Sequence, residues 1–320
     1  MKARRTGAAL LTAMLTVALV ASMAAAALWQ QWRSVEVETA ERTRTQSLWI
    51  LSGALDWARL ILREDARAGG ADHLGEPWAV PLEEARLSTF LAADKSNTPD
   101  LNESAAQVFL SGRITDLQGR MNVLNLVENG KVSAPWLKAF SRLFEQLGLP
   151  ASELTAVAEN LRFAQDTLPE NGSSRLAPLM PQRVGQLRWL GLSEASLAKL
   201  GAYITVLPVR APVNLNTASV TVLYASIPTL DMAQAQRLAA GRQTGHFRTL
   251  GDAGNVVPEV AGELSEGQHS VNSRFFEVQG RLRMERNVVE ERSLVQREGL
   301  NVKTLWRDRG VQGPQTTALQ

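Results

Sequence analysis

The stretch MKARRTGAALLTAMLTVALVASMAAAALW, residues 1–29, decides how the rest of the chain is read. Lys2, Arg4 and Arg5 make its start basic, and from Ala8 to Trp29 there are 22 residues without one charge. As a helix those residues would reach about 33 Å, enough to cross a hydrocarbon core of about 30 Å. Every later apolar run is short and broken by charge, Pro or Gly, so at most one span is expected. Positive residues precede it, which puts the N-terminus in the cytoplasm and everything after Trp32 on the far side. Three readings compete: a signal peptide cut near Ala24 to Ala27, an uncleaved anchor, or the first half of a much longer helix.

The residues that follow bear on the third reading. Val35 to Arg67 contains no Pro and one Gly, Gly53. Leu48, Leu51, Leu55, Ala58 and Leu62 are spaced to line one helical face, which predicts a single helix of roughly sixty residues, apolar all round at first and amphipathic later. A basic leader ending at Gly7, followed by an apolar helix running into a soluble part, resembles the type IV prepilins and type II secretion pseudopilins. The resemblance implies that a prepilin peptidase cuts after Gly7 and that Ala8 becomes the methylated first residue. Members of these families mostly have Phe at the first mature position and Glu at the fifth, where this chain has Ala8 and Thr12. That Glu is thought to neutralise the amine of a neighbouring subunit inside the apolar filament, where an unpaired charge would cost several kcal/mol. A subunit that begins the filament has no such neighbour, and Thr12 then marks an assembly role; read alone, Thr12 is equally a tolerated polar residue. Lack of the Glu together with unusual length points to the minor pseudopilin K family.

Outward from the helix, Gly69, Gly70, Gly75 and Pro77 end the pattern. A strand-like stretch runs from Gly112 to Leu126 and carries Asp116-Leu117-Gln118-Gly119-Arg120, which again resembles protein K. Helical signals fill Ser133 to His269, with Ser133 and Pro135 suited to a helix start and Gly148 to its end. Leu147-Gly148-Leu149 recurs as Leu190-Gly191-Leu192, which suggests two related units. Val213-Asn214-Leu215-Asn216-Thr217-Ala218 is typical of the family, and Asn216 or Thr217 is expected to cap a helix through Tyr224. A second helix follows Asp231. Strands return at Phe276 to Met284, Arg292 to Glu298 and Leu300 to Trp306 as a meander. Ser273-Arg274-Phe275-Phe276 and Leu305-Trp306-Arg307-Asp308-Arg309-Gly310 resemble protein K as well, so the likeness covers nearly the whole chain.

The expected fold class is α+β: a type IV pilin-like long N-terminal helix on an antiparallel sheet, with a large all-helical domain inserted between sheet strands. The expected parts are a leader (1–7), the helix (8–67, of which 8–29 is transmembrane), a first pilin-like segment (68–132), the inserted helical domain (133–270), a β-meander (271–310) and a disordered tail (311–320).

Composition narrows the chemistry. The 320 residues hold 34 Lys and Arg against 32 Asp and Glu, and without Lys2, Arg4 and Arg5 the positive count falls to 31. The basic pI therefore implies no nucleic-acid surface. With no Cys, a disulfide, an Fe-S cluster, a Cys-ligated zinc and a Cys nucleophile are excluded. His73, His246 and His269 lack zinc-binding spacing, and Walker and Gly-x-Ser-x-Gly motifs are missing, so an enzyme is not expected. Relatives of protein K bind calcium in an Asp-rich loop. The corresponding Glu159 to Arg175 offers Glu159, Asp166, Glu170 and Asn171, an eroded set from which no metal or other cofactor is expected.

The alternative function is a membrane-anchored DNA-uptake protein, because Val213 to Leu250 has the order of a helix-hairpin-helix. Its hairpin, Pro228-Thr229-Leu230-Asp231, has no Gly for close phosphate approach and carries a repelling carboxylate. The implied function is instead assembly: a minor pseudopilin at the pseudopilus tip, partnered by minor pseudopilins I and J, the major pseudopilin G, the prepilin peptidase and the inner membrane.

Overall fold

The computed structural model describes residues 6–92, 108–166, 176–284 and 287–310. The chain divides into two compact units, residues 1–53 and 54–320. The leader residues 1–5 and the tail 311–320 lie outside the described residues, as do Glu170 and Asn171.

Helix α1 (Thr6–Ala68) is 63 residues long, close to the sixty expected from spacing. Within the first unit its apolar side chains, such as Leu11, Leu15, Leu19 and Met23, are exposed, which in water would be costly and in lipid is not. The hydroxyls of this stretch are satisfied inside the helix: Thr12 Oγ1 donates to the Ala9 carbonyl at 2.9 Å, Thr16 to Ala13 at 2.9 Å and Ser22 to Ala18 at 2.8 Å. Such back-bonding satisfies these three hydroxyl donors within the helix itself.

In the second unit α1 continues to Ala68 and stops where sequence suggested. Gly69 and Gly70 have φ of +69° and +114°, a region that residues with a Cβ avoid, and the Gly69 N–H bonds back to the Asp65 carbonyl at 3.1 Å. Leu55, Ala58 and Leu62 pack with Trp78, Phe276, Val278, Val295 and Val302. Each leucine buried there contributes about 1.5–3 kcal/mol. Trp78 meets Phe276 edge to face at 5.2 Å.

The sheet begins with β1 (Leu82–Arg86), which leads into the short helix α2 (Leu87–Ala92), and continues with β2 (Val108–Asp116). The chain then leaves the sheet. Expected strand character beyond Asp116 gives way to tight turns, because side chains compete for the backbone: Asp116 accepts from the Gln118 N–H at 2.7 Å and Asn122 from the Leu124 N–H at 3.2 Å. Only the short strands β3 (Met121–Asn122), β4 (Val127–Glu128) and β5 (Lys131–Val132) form there.

The helical excursion follows. Helix α3 (Ala134–Gln146) buries Trp136, Ala139, Phe140, Leu143 and Phe144, the spacing of one face. Helix α4 (Ala151–Gln165) and helix α5 (Glu194–Leu200) each come after a left-handed glycine, Gly148 at φ +61° and Gly191 at φ +103°. That is the physical content of the repeated Leu-Gly-Leu, since only glycine takes this turn without strain. The elements before the two glycines differ, an α-helix in one case and a 3₁₀ turn (Val184–Leu190) in the other. Two-residue strands β6 (Ile204–Thr205) and β7 (Val213–Asn214) lead to α6 (Val220–Ser226), α7 (Met232–Thr244) and α8 (Leu250–Val256). The cap of α6 is Ser219, which accepts from Val222 N–H, rather than Asn216 or Thr217. Asn216 is spent elsewhere, exchanging two 2.9 Å bonds with the backbone of Phe247.

Strand β8 (His269–Ser270) pairs with β7, and the sheet is completed by β9 (Phe275–Met284), β10 (Asn287–Glu298) and β11 (Asn301–Gly310). The strand order is β1-β2-β9-β10-β11, with every pairing antiparallel. The second meander strand starts at Asn287, earlier than its apolar residues suggested. Both faces of the sheet are covered, which explains the adjacent buried pair Phe275 and Phe276: Phe276 faces α1, while Phe275 packs with Leu117, Leu207, Ala211 and Leu294.

Candidate functional site

Two places carry the polar chemistry of the chain. The first is the start of α1, where Gly7 and Ala8 lie inside the helix. Thr12 sits one turn further on, uncharged and bonded to its own helix.

The second is a buried junction in which the end of α1, the sheet and the helical excursion meet. At its centre Asp116, the last residue of β2, accepts four hydrogen bonds. Oδ2 takes them from Asn214 Nδ2 at 3.0 Å, Thr217 Oγ1 at 2.6 Å and Ser273 Oγ at 2.6 Å, and Oδ1 from the Gln118 N–H. Burial pushes the Asp116 carboxyl up, and the donated bonds act against that rise. Asn214 also donates to the Asp72 carbonyl at 3.1 Å and to Ser273 Oγ at 2.9 Å. The motifs Asp116 to Arg120, Val213 to Ala218 and Ser273 to Phe276, read separately in the sequence, are the three sides of this one knot.

Beside it Arg297 of β10 reaches three groups. Its Nη1 lies 2.5 Å from Asp65, its Nη2 pairs with Asp72, and Nη2 also donates to the Ser273 carbonyl at 2.9 Å. Burial raises the Asp72 carboxyl, opposed by Arg297, while the two carboxylates raise the guanidinium against its own desolvation. Glu76 completes an acidic group with Asp65 and Asp72, their oxygens within 4.8 Å of one another. A cation could be held by such a trio, but Arg297 already supplies the positive charge to two of its members. Glu76 accepts from the His73 N–H at 2.9 Å and from Trp78 Nε1 at 2.7 Å, and burial pushes it up to about 7.

Of the acidic residues in the stretch expected to correspond to the calcium loop, Glu159 lies within α4 and pairs with Arg162 at 3.0 Å, and Asp166 is the C-terminal cap of that helix. The hairpin of the helix-hairpin-helix-like segment is turned away from an anion-gripping arrangement. Arg142 of α3 collects the carbonyls of Tyr224, Pro228 and Leu230, the Pro228 bond being 2.7 Å. Asp231 caps α7 through the Gln234 N–H at 2.7 Å. Of the three histidines, His269 is buried, and His73 and His246 stack with centroids 3.8 Å apart. Sequence separation concealed that contact, and no spacing rule would have found it.

Comparison with known proteins gives the following. Two family models, both described as type II secretion system protein K, match residues 119–209 and 213–272. A type II secretion system protein K of Pseudomonas aeruginosa is 29% identical over 329 residues, covering 96% of this chain and 90% of the relative. Another from Pectobacterium carotovorum subsp. carotovorum is 24% identical, covering 97% and 98%. Among solved structures, the crystal structure of the GspK-GspI-GspJ complex from the enterotoxigenic Escherichia coli type 2 secretion system matches with a TM-score of 0.63 and 19% identity. It covers 85% of this chain and 98% of that one.

Proposed function

We propose that this chain, a member of the type II secretion system protein K family and a minor pseudopilin of that system, works at the pseudopilus tip, where it initiates and caps the filament. It is anchored once in the inner membrane through α1, with its N-terminus in the cytoplasm and the rest of the chain in the periplasm. The prepilin peptidase cuts after Gly7, and Ala8 becomes the methylated end. Its partners are the minor pseudopilins I and J and, below them, the major pseudopilin G. The likeness in fold to a subunit crystallised with two others supports the first pair. The work is helix packing and capping, with no catalytic step.

The observation that carries the tip position is Thr12. In an apolar filament a carboxylate needs a cationic neighbour, whereas a hydroxyl bonded to the Ala9 carbonyl needs none. Mass and N-terminal sequence of the protein from membranes with and without the prepilin peptidase test the reading. A chain beginning at methylated Ala8 only when the peptidase is present is expected; a start at Met1 or near Leu28 in its presence would overturn it. Thr12→Glu is expected to be processed as the parent is, since position 12 acts in assembly, and loss of cleavage in that variant would remove the argument from Thr12.

A further inference from the structure

The helical excursion and the segment after α1 enclose a pocket of about 430 Å³, lined by His73, Leu74, Gly75, Asn216, Arg242 and His246 among others. We propose that this pocket binds a small free oxyanion of the sulfate or phosphate class. The assignment is independent of the secretion role.

Its first support is Arg242. The bonds of its guanidinium run from Nη1 to the neutral carbonyls of Leu215 at 2.7 Å and Ala218 at 2.6 Å. Among the described residues it makes no ion pair, and burial alone lowers its pKa, with no carboxylate acting against the shift. A partly desolvated cation whose charge the protein leaves unneutralised attracts an anion from solution.

The second support is the histidine pair. The rings lie 3.8 Å apart and 9° from parallel. His73 Nδ1 accepts the Gly75 N–H at 3.1 Å, so the neutral ring carries its proton on Nε2 as a donor. Stacked imidazoles repel when both are protonated, and a bound anion removes that penalty. Desolvation and then His246 lower the His73 pKa, while Asp65 and Asp72 raise it from the other side. Those two carboxylates are paired with Arg297, and Glu76, which accepts the His73 N–H, is pushed up to about 7. As pH falls through neutrality Glu76 loses its charge, and His73, its pKa lowered, gains one further down. Both changes favour an anion, so binding takes up protons and tightens toward lower pH.

Sulfate is the probe, because it keeps its double charge across this range. Calorimetric titration of the full chain in phosphatidylcholine nanodiscs, with chloride holding the ionic strength constant, is expected to show saturable binding about tenfold tighter near pH 6 than near pH 8. His246→Gln and Arg242→Gln are each expected to weaken it about tenfold or more, and Arg248→Gln, at an exposed neighbouring arginine, to leave it unchanged. Arg242→Gln also removes two backbone contacts, so His246→Gln is the decisive variant. Absence of saturation up to roughly 50 mM sulfate near pH 6, or binding that survives His246→Gln, would overturn the assignment.

Discussion

At the scale of single residues, the carboxylate of Asp116 gathers more polar contacts than any other acidic side chain described above, and its removal strands its donors in a dry interior. Asp116→Ala is expected to lower unfolding free energy by about 3–5 kcal/mol in denaturant titration. Asp308→Ala, which removes an exposed pair with Arg183, is expected to change it by at most about 0.5 kcal/mol. A cost for Asp116→Ala no larger than that for Asp308→Ala would mean that water replaces the lost bonds. The Asp-Leu-Gln-Gly-Arg run was visible in the sequence; the reason for its composition was not. Three of the four partners of Asp116 lie 98, 101 and 157 residues away, a separation no local pattern encodes. Gly119 is similar. Its backbone angle is ordinary, and an added Cβ would meet Thr217 Oγ1 at 2.9 Å, so the requirement is close approach between segments rather than conformational freedom.

Among elements, the most legible was the long helix, because a 3.6-residue rhythm and the terminating glycines are local signals. The short strands were illegible for the opposite reason: β3 exists because Met121 pairs with Ile204, and β7 because Val213 pairs with His269. The β8 histidine gives this level its own prediction. His269 Nδ1 accepts the Ser265 N–H at 3.4 Å, and Nε2, 3.2 Å from the Ser226 carbonyl, therefore carries the proton. Desolvation lowers its pKa to about 4 from 6.5. The unfolded chain takes up a proton below pH 6.5 that the folded chain refuses until pH 4. Stability from this group is thus complete above pH 6.5 and declines as pH falls toward 4, by about 3 kcal/mol at most. Glu76, raised to about 7, acts oppositely, its contribution falling as pH rises from 4.5 to 7. Unfolding of His269→Gln measured over this range is expected to lack the acid-side decline and to retain the Glu76 slope; an unchanged acid-side decline would show that the imidazole is not its source.

For the molecule as a whole, the order strand, helices, strands announced an inserted domain, but which strands would become neighbours was not readable, since pairing depends on register across the insertion. The structure places β2 beside β9, from Val108 opposite Met284 to Asp116 opposite Phe276, so the two ends of the excursion emerge side by side. Among the described residues, its apolar core, from Met121 to Val271, takes only Ala71 from outside. Residues 117–274 expressed alone are therefore expected to give a helical spectrum and one cooperative thermal transition; a gradual melt would mean that the sheet is needed to hold the helices together. The paired ends also have a mechanical consequence. Tension on the excursion loads the ladder between β2 and β9 one rung at a time, the way a zipper opens, and the first rung is Asp116 opposite Phe276, braced by the bond from Ser273 to Asp116. Compression loads no rung in sequence, because it presses Leu207 and Ala211 onto the face of the sheet that holds Phe275. A part built in this way suits a piston: it passes thrust forward and resists being pulled off only up to the strength of one rivet.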